Sequence, residues 1–261
     1  MKRLQFFLVL TLALAFGTPA WAVQMDEAPA EPAKGDEVAI DLSVPYYSKY
    51  VSRGLTTTDD PVLQPGATLS YKGFCFNVWG NYNLTDKIGK KDKFTEVDLT
   101  GEYAFEVGDF TIPVGVVHYL YPNNTQPGTT EIYAGVSYKW LVTPALKVYR
   151  DVGDVNGTYA NLTVSREFLL LRPKKTVSVG LVPLAGLGWG SADFNKYRYN
   201  AGVDAEHFTD TTFQLTLPVK FRDTLTITPG VHHVWLPDSE IQDAAGYEGK
   251  TLFSLTFGLS F

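Results

Sequence analysis

The stretch TEVDLTGEYAF, residues 95–105, decides the fold. Val97, Leu99, Gly101, Tyr103 and Phe105 form one row; Glu96, Asp98, Thr100 and Glu102 form the other. A period of two belongs to a β-strand, whose successive side chains point to opposite faces. The pattern recurs on both sides. EIYAGVSYKW, residues 131–140, sets Ile132, Ala134, Val136, Tyr138 and Trp140 against Glu131, Tyr133, Gly135, Ser137 and Lys139. TTFQLTLPVKF, residues 211–221, sets Phe213, Leu215, Leu217, Val219 and Phe221 against Gln214, Thr216 and Lys220. From Val38 onward a helical period is almost absent.

Segments of this kind occupy residues 38–51, 62–71, 74–83, 94–106, 109–121, 129–140, 144–151, 157–169, 175–189, 210–221, 224–236 and 250–261. Their connections alternate between long loops and tight turns such as KG at 72–73 and VGD at 107–109. An even strand number with long loops at one end and short turns at the other predicts an all-β fold. It is an up-and-down antiparallel transmembrane β-barrel of about 12 strands. A soluble β-sandwich or lipocalin-like barrel alternates as well. Two features favour the membrane. The apolar rows are almost free of charge, Arg150 and Arg166 being exceptions near strand ends. Aromatics also gather at row ends: Tyr71, Phe74, Phe105, Tyr138, Trp140, Phe168, Phe221 and Phe261 at the short-turn end, and Tyr82, Trp189 and Trp235 at the other.

The last segment, TLFSLTFGLSF at 251–261, carries Phe253, Leu255, Phe257, Leu259 and Phe261 on one face. A barrel in lipid has no water to satisfy an open edge, so this strand is expected to close on the first. The row ending on Phe261 also resembles the C-terminal signal read by the insertion machinery of Gram-negative outer membranes. At the other end, Lys2 and Arg3 precede an apolar run to Phe16 and the small-x-small site Ala20-Trp21-Ala22. This predicts a signal peptide over 1–22, a flexible periplasmic lead-in over 23–37, and the barrel over 38–261. Cys75 is the single cysteine, so no internal disulfide forms. The formal net charge of −6 argues against nucleic acid as a partner.

Parity places Lys49, Glu96, Asp98, Glu102, Glu131, Lys139, Lys147 and Lys220 as lining the pore. Trp140, Trp235, Phe253, Phe257 and Phe261 are expected at the membrane interface, the phenylalanines also in the C-terminal signal. Adjacent His232 and His233 point to opposite faces and do not chelate as a pair. No catalytic constellation, metal site or cofactor motif is evident, so no enzyme and no cofactor are expected. The most ligand-like loop stretch is FNKYRYN, residues 194–200, suited to stacking on a sugar or folding into the mouth.

A family resemblance rests on SKYVSRGLTTTDDPVLQPGATLSY (48–71), GFCFNVWGNYN (73–83), HYLYP (118–122), TEIYAGVSYKW (130–140) and GTYANLTVSREF (157–168). Together these resemble the TorF-like family of bacterial outer-membrane porins. The core is Tyr50, Val51, Ser52, Arg53 and Gly54, then Thr58, Asp59, Asp60 and Pro61. The resemblance implies a barrel with a pore and carries over no catalytic or ligand residue. The expected function is a monomeric outer-membrane channel for passive diffusion of small hydrophilic solutes, with membrane lipids and the insertion machinery as partners. The alternatives are a non-conducting structural or adhesin-type barrel acting through its loops and, third, an outer-membrane lipid hydrolase.

Overall fold

The computed structural model describes residues 37–261 apart from 154, 175, 200, 201 and 223. The expected signal peptide and nearly all of the lead-in lie outside the described residues. The chain forms a closed antiparallel barrel of 12 strands. They are β1 (Ala39–Tyr47), β2 (Val62–Leu63 and Gly66–Tyr71), β3 (Phe74–Asn83), β4 (Phe94–Val107), β5 (Phe110–Leu120) and β6 (Thr129–Tyr138). There follow β7 (Thr143–Asp151), β8 (Thr158–Ser165 and Phe168–Lys174), β9 (Val177–Gly190), β10 (His207–Thr216 and Val219–Phe221), β11 (Leu225–Trp235) and β12 (Gly249–Ser260). Each strand pairs with its predecessor. β12 returns to β1 in register from Asp41 opposite Ser260 to Tyr47 opposite Ser254. Phe261 N–H donates to the Ile40 carbonyl at 2.9 Å, and Ile40 N–H donates back to Phe261 at 3.0 Å. The last strand is therefore a seam that closes the ring on its first strand.

The barrel is inside out. On β4 the polar row Glu96, Asp98, Thr100 and Glu102 is buried, whereas Phe105 on the other face is exposed. The same holds around the ring: Phe74, Phe76, Leu69, Ile132, Leu162, Phe213, Phe253 and Phe257 all stand on the outside. A water-soluble protein rarely exposes more than a few hundred Å² of contiguous apolar surface. A soluble sandwich would bury these rows between its sheets. Two apolar outer crevices, of about 640 and 460 Å³, are lined by such residues as Val164, Phe213 and Leu215, and Val44, Ala67 and Val78.

The short turns follow local chemistry. Lys72 and Gly73 both take positive φ, at 49° and 83°. Two left-handed residues give the tight hairpin whose twist matches the flanking strands. Elsewhere the structure departs from the segments read above. β1 stops at Tyr47 rather than reaching 51. The chain then leaves the wall as a small hairpin of Tyr50–Ser52 and Leu55–Thr58, whose Tyr50 and Val51 are each 1% exposed. β8 runs on to Lys174 and so extends past the end at 169 read above. β7 begins at Thr143, opposite Ser165, and so does not cover this lower part of β8. An uncovered edge tolerates Pro173, which has no N–H to donate. Two of the outer loops also hold seven-residue helices, α1 (Ala192–Arg198) and α2 (Ser239–Ala245). Ser191 caps α1 by accepting from Phe194 N–H; Asp238 caps α2 by accepting from Glu240 and Ile241.

Candidate functional site

The motif Ser52-Arg53-Gly54-Leu55 forms the tip of the small hairpin, with positive φ at Arg53 (42°) and Gly54 (82°). Gly54 suits this turn, and a Cβ there would lie 3.1 Å from Asp210 Cβ and from the Thr209 carbonyl. Arg53 does not suit it. A non-glycine residue in the left-handed region costs on the order of 1–3 kcal/mol and persists where its surroundings over-determine it.

Those surroundings form a clamp on the inner wall. Arg53 donates from Nη1 to Glu131 Oε1 at 2.7 Å and from Nη2 to Glu131 Oε2 at 2.8 Å. Nη2 also donates to the Tyr119 hydroxyl at 3.0 Å, and that hydroxyl donates to Glu131 at 2.8 Å. The guanidinium carbon lies 4.6 Å from the Tyr149 ring centre, 4.7 Å from that of Tyr159 and 5.9 Å from that of Phe194. β5 supplies Tyr119, β6 Glu131, β7 Tyr149, β8 Tyr159 and α1 Phe194. A bidentate carboxylate pair with flat aromatic faces around it is the environment that a planar guanidinium fits and an ammonium does not.

The rest of the hairpin is fastened from all sides. Tyr50 donates to Glu96 at 3.0 Å, and Tyr247 donates to the Gly54 carbonyl. Arg198 of α1 donates to the Ser52 carbonyl. Val51 joins Tyr199, Val203, Val234, Leu236, Ile241 and Leu252 in an apolar cluster that spans hairpin, both helical loops and the upper wall. The outer mouth is thus filled by protein. Inward-facing bulk on this wall would not permit it: β9 presents Gly186, Gly188 and Gly190 inward, and a Cβ at Gly190 would meet Asn195 Oδ1 at 2.4 Å. Asn195 instead donates to the Gly190 and Ala205 carbonyls, locking α1 against β9.

Below the clamp the same wall holds a second cation. Lys147 Nζ lies 3.8 Å from the Tyr133 ring centre, 5.3 Å from that of Tyr149 and 3.5 Å from Glu102. Tyr133 donates to Glu102 at 2.9 Å. Tyr133, Tyr149, Tyr159 and Phe194 form a column with successive ring centres 5.2, 6.3 and 5.2 Å apart.

Of the residues expected along the pore, Glu96, Asp98, Glu102, Glu131 and Lys147 are buried on the inner wall. Lys220 lies in the lower part of β10, partly buried. Two are corrected. Lys139 follows the end of β6 and is exposed in the short turn. Lys49 belongs to the link into the hairpin, where it pairs with Asp59 at 2.8 Å. Trp235 ends β11 at the long-loop side, Trp140 lies in the short turn after β6, and Phe253, Phe257 and Phe261 stand on the outer face of the seam. FNKYRYN folds into the mouth through Phe194, Asn195 and Tyr199, all buried. Arg53 was legible only as part of the Tyr50–Gly54 motif, with no role, and its partners Tyr119 and Tyr149 were missed. The alternate glycines of GLGWG at 186–190 were the available signal, because an inward row of glycines implies something packed close against it.

Asp59 straps the hairpin to the rim through Lys49 and Lys250, at 2.8 and 2.9 Å. Hydrogen bonds from these two lysines hold its carboxyl down at about 2 rather than 3.8. A depressed carboxylate stabilises the seated loop above its unfolded value and loses that contribution as pH falls through the folded one. Hydrogen exchange of residues 48–61, corrected for intrinsic rate, should rise modestly between pH 4 and 2. Asp59→Asn should be equally fast across that range, and a wild-type profile as flat as the variant's would remove the strap.

The chain is similar in structure to the KdgM porin at 12% identity, covering 85% of this chain and 99% of that one, with a TM-score of 0.52. A KdgM porin in complex with disordered oligogalacturonate gives 11% identity, the same coverage and a TM-score of 0.52. The NanC porin gives 14% identity over 85% of this chain and 98% of that one, with a TM-score of 0.49. At such identities the likeness is one of fold. No curated protein matches the chain. A family model described as bacterial protein of unknown function, Gcw_chp, matches residues 29–224. That match spans most of the sequence, hairpin and clamp included, and the chain belongs to the Gcw_chp family.

Proposed function

We propose that this chain is a channel of the Gram-negative outer membrane that passes small hydrophilic solutes by passive diffusion when its mouth is unlatched. The observation that carries the reading is the inverted wall: Glu96, Asp98, Glu102, Glu131 and Lys147 buried inside a ring whose outside is apolar. A polar lumen within an apolar belt is the construction of membrane barrels that conduct. The porin fold of KdgM supports it in general terms. The ring closes within one chain, which supports a monomer. The finer kinship with TorF-like porins, suggested by Tyr50–Gly54 and Thr58–Pro61, is part of the same proposal.

Single-channel recording in planar bilayers tests it. Wild-type protein should show rare, brief openings, and Arg53→Ala should hold open far longer because its hairpin has lost the clamp. The filled mouth favours a second reading, a structural or adhesin-type barrel acting through its loops. A folded barrel silent in both forms would establish that one, and release of fatty acid from phospholipid would establish a hydrolase.

Assembly gives a separate test. Phe261 joins β12 to β1 through two backbone hydrogen bonds, and its ring stands 67% exposed on the outer face. If this aromatic is read by the insertion machinery, Phe261→Asp should be exported yet accumulate in the periplasm, with Phe261→Tyr close to wild type. Cell fractionation with a heat-modifiability gel decides. Normal outer-membrane levels of folded Phe261→Asp would remove the residue from the signal.

A further inference from the structure

We propose that the Arg53 pocket is a binding site for a guanidinium ligand, and that the hairpin Tyr50–Thr58 is its tethered occupant, displaced by a free ligand of the same class. The step from displacement to opening rests on the channel reading; the binding itself does not.

Three features specify the ligand. The Glu131 carboxylate meets the guanidinium edge with two parallel hydrogen bonds of 2.7 and 2.8 Å. An ammonium, as a point charge, cannot reproduce that fork. Tyr119 fixes the orientation by accepting from the cation while donating to the same carboxylate. Tyr149 and Tyr159, 3% and 1% exposed, offer their rings at 4.6 and 4.7 Å, where a planar cation stacks. All four residues stand on β5 to β8 of the barrel wall, so the pocket does not depend on the hairpin that fills it.

The occupant is held less well than its contacts suggest. Arg53 adopts a left-handed backbone that it abandons on leaving. Its hairpin is a two-stranded ribbon paired only over Tyr50–Ser52 and Leu55–Thr58, which on its own is marginal in water. A tethered ligand enjoys a high effective concentration, so a free competitor must reach a comparable level. The column does not end at the clamp. Lys147 between Tyr133 and Tyr149 shows that the next rungs also accept a cation beside a carboxylate, Glu102. The Lys147 ammonium already fills that rung, so a guanidinium compound entering the mouth is held at Glu131.

The test uses the full mature chain folded in detergent, with methylguanidinium and methylammonium as matched probes. In Arg53→Ala the pocket is empty and Glu131 lacks its fork. Millimolar methylguanidinium should raise the thermal midpoint of this variant by several degrees more than methylammonium does, as a ligand that binds the folded state must. The gain should vanish in Arg53→Ala/Glu131→Gln. A second measurement does not require Arg53→Ala to fold. In a Cys75→Ser background, Val51→Cys lies on the hairpin itself and is buried while the hairpin is seated. Methylguanidinium should speed its maleimide labelling several-fold, and methylammonium should not. Equal effects of the two cations, or rescue that survives loss of Glu131, overturn the site. Faster labelling with no bilayer current upholds the site and rejects the channel reading alone.

Discussion

Glu131→Ala should unseat the hairpin more completely than any other single change at the mouth. The substitution leaves the Arg53 guanidinium, on a residue 8% exposed, without its carboxylate. It also removes the acceptor of the Tyr119 hydroxyl. Breaking one side of a buried ion pair costs about 3–5 kcal/mol, because the remaining charge is left uncompensated. At 1.4 kcal/mol per decade, that is a change of roughly two to three and a half decades in the seated-to-free ratio. The barrel itself should survive. Its ladder closes through β1 and β12 without any contribution from the hairpin. The expected result is a folded, heat-modifiable barrel whose residues 48–61 become accessible to protease. Arg53→Ala should release the hairpin less completely, because the Glu131 carboxylate that it strands keeps the Tyr119 hydroxyl as a donor. The double variant should resemble Arg53→Ala, a non-additivity expected of groups in direct contact. Glu131→Ala protected as fully as wild type would mean that the clamp is not what holds the mouth shut.

The two halves of this molecule were not equally legible in its sequence. Wherever one face meets hydrocarbon, the period of two is enforced residue by residue, because a one-residue slip would turn Glu96, Asp98 and Glu102 outward. That is why 95–105 reads correctly from letters alone, and why the seam at Phe261 could be anticipated from the row above it. Lys49 and Lys139 were misplaced for a shared reason. Parity says which way a strand residue points but not where the strand ends, and each lies just past an end. The clamp was hidden for a different reason. Arg53 and Glu131 are 78 residues apart in the chain, and no local pattern encodes a contact made across a lumen. Nor does alternation describe a segment that leaves the wall. Tyr50 and Val51 continue the apolar character of β1, so they read as more strand until the positive φ of Arg53 and Gly54 turns them inward. The helices at 192–198 and 239–245 are too short to show a 3.6-residue period, although Ser191 and Asp238 stand as caps.

Leu146→Arg should prevent assembly altogether, and the reason lies in how the chain already handles an arginine on the same row. Leu146, Val148 and Arg150 all point outward on β7. Arg150 is tolerated because it lies at the rim, where its guanidinium donates to Thr158 and Asn156 at the start of β8. Leu146 lies four residues lower, about 13 Å along a strand. That is farther than an arginine side chain extends, so its charge could not reach those partners. Its neighbours in register are Val136 on β6 and Leu162 on β8, both outward and apolar. A guanidinium there costs about 2–4 kcal/mol if the position lies near the bilayer midplane. Arg150→Leu, the opposite exchange, should assemble normally. Outer-membrane fractionation with a cold-gel mobility shift reads both. If Leu146→Arg reached the membrane as a folded species at wild-type level, the apolar belt would not be facing hydrocarbon at that height. The inverted wall would then need another explanation, because nothing but lipid gives a protein reason to keep Val136, Leu146 and Leu162 outside and Glu102, Glu131 and Lys147 within.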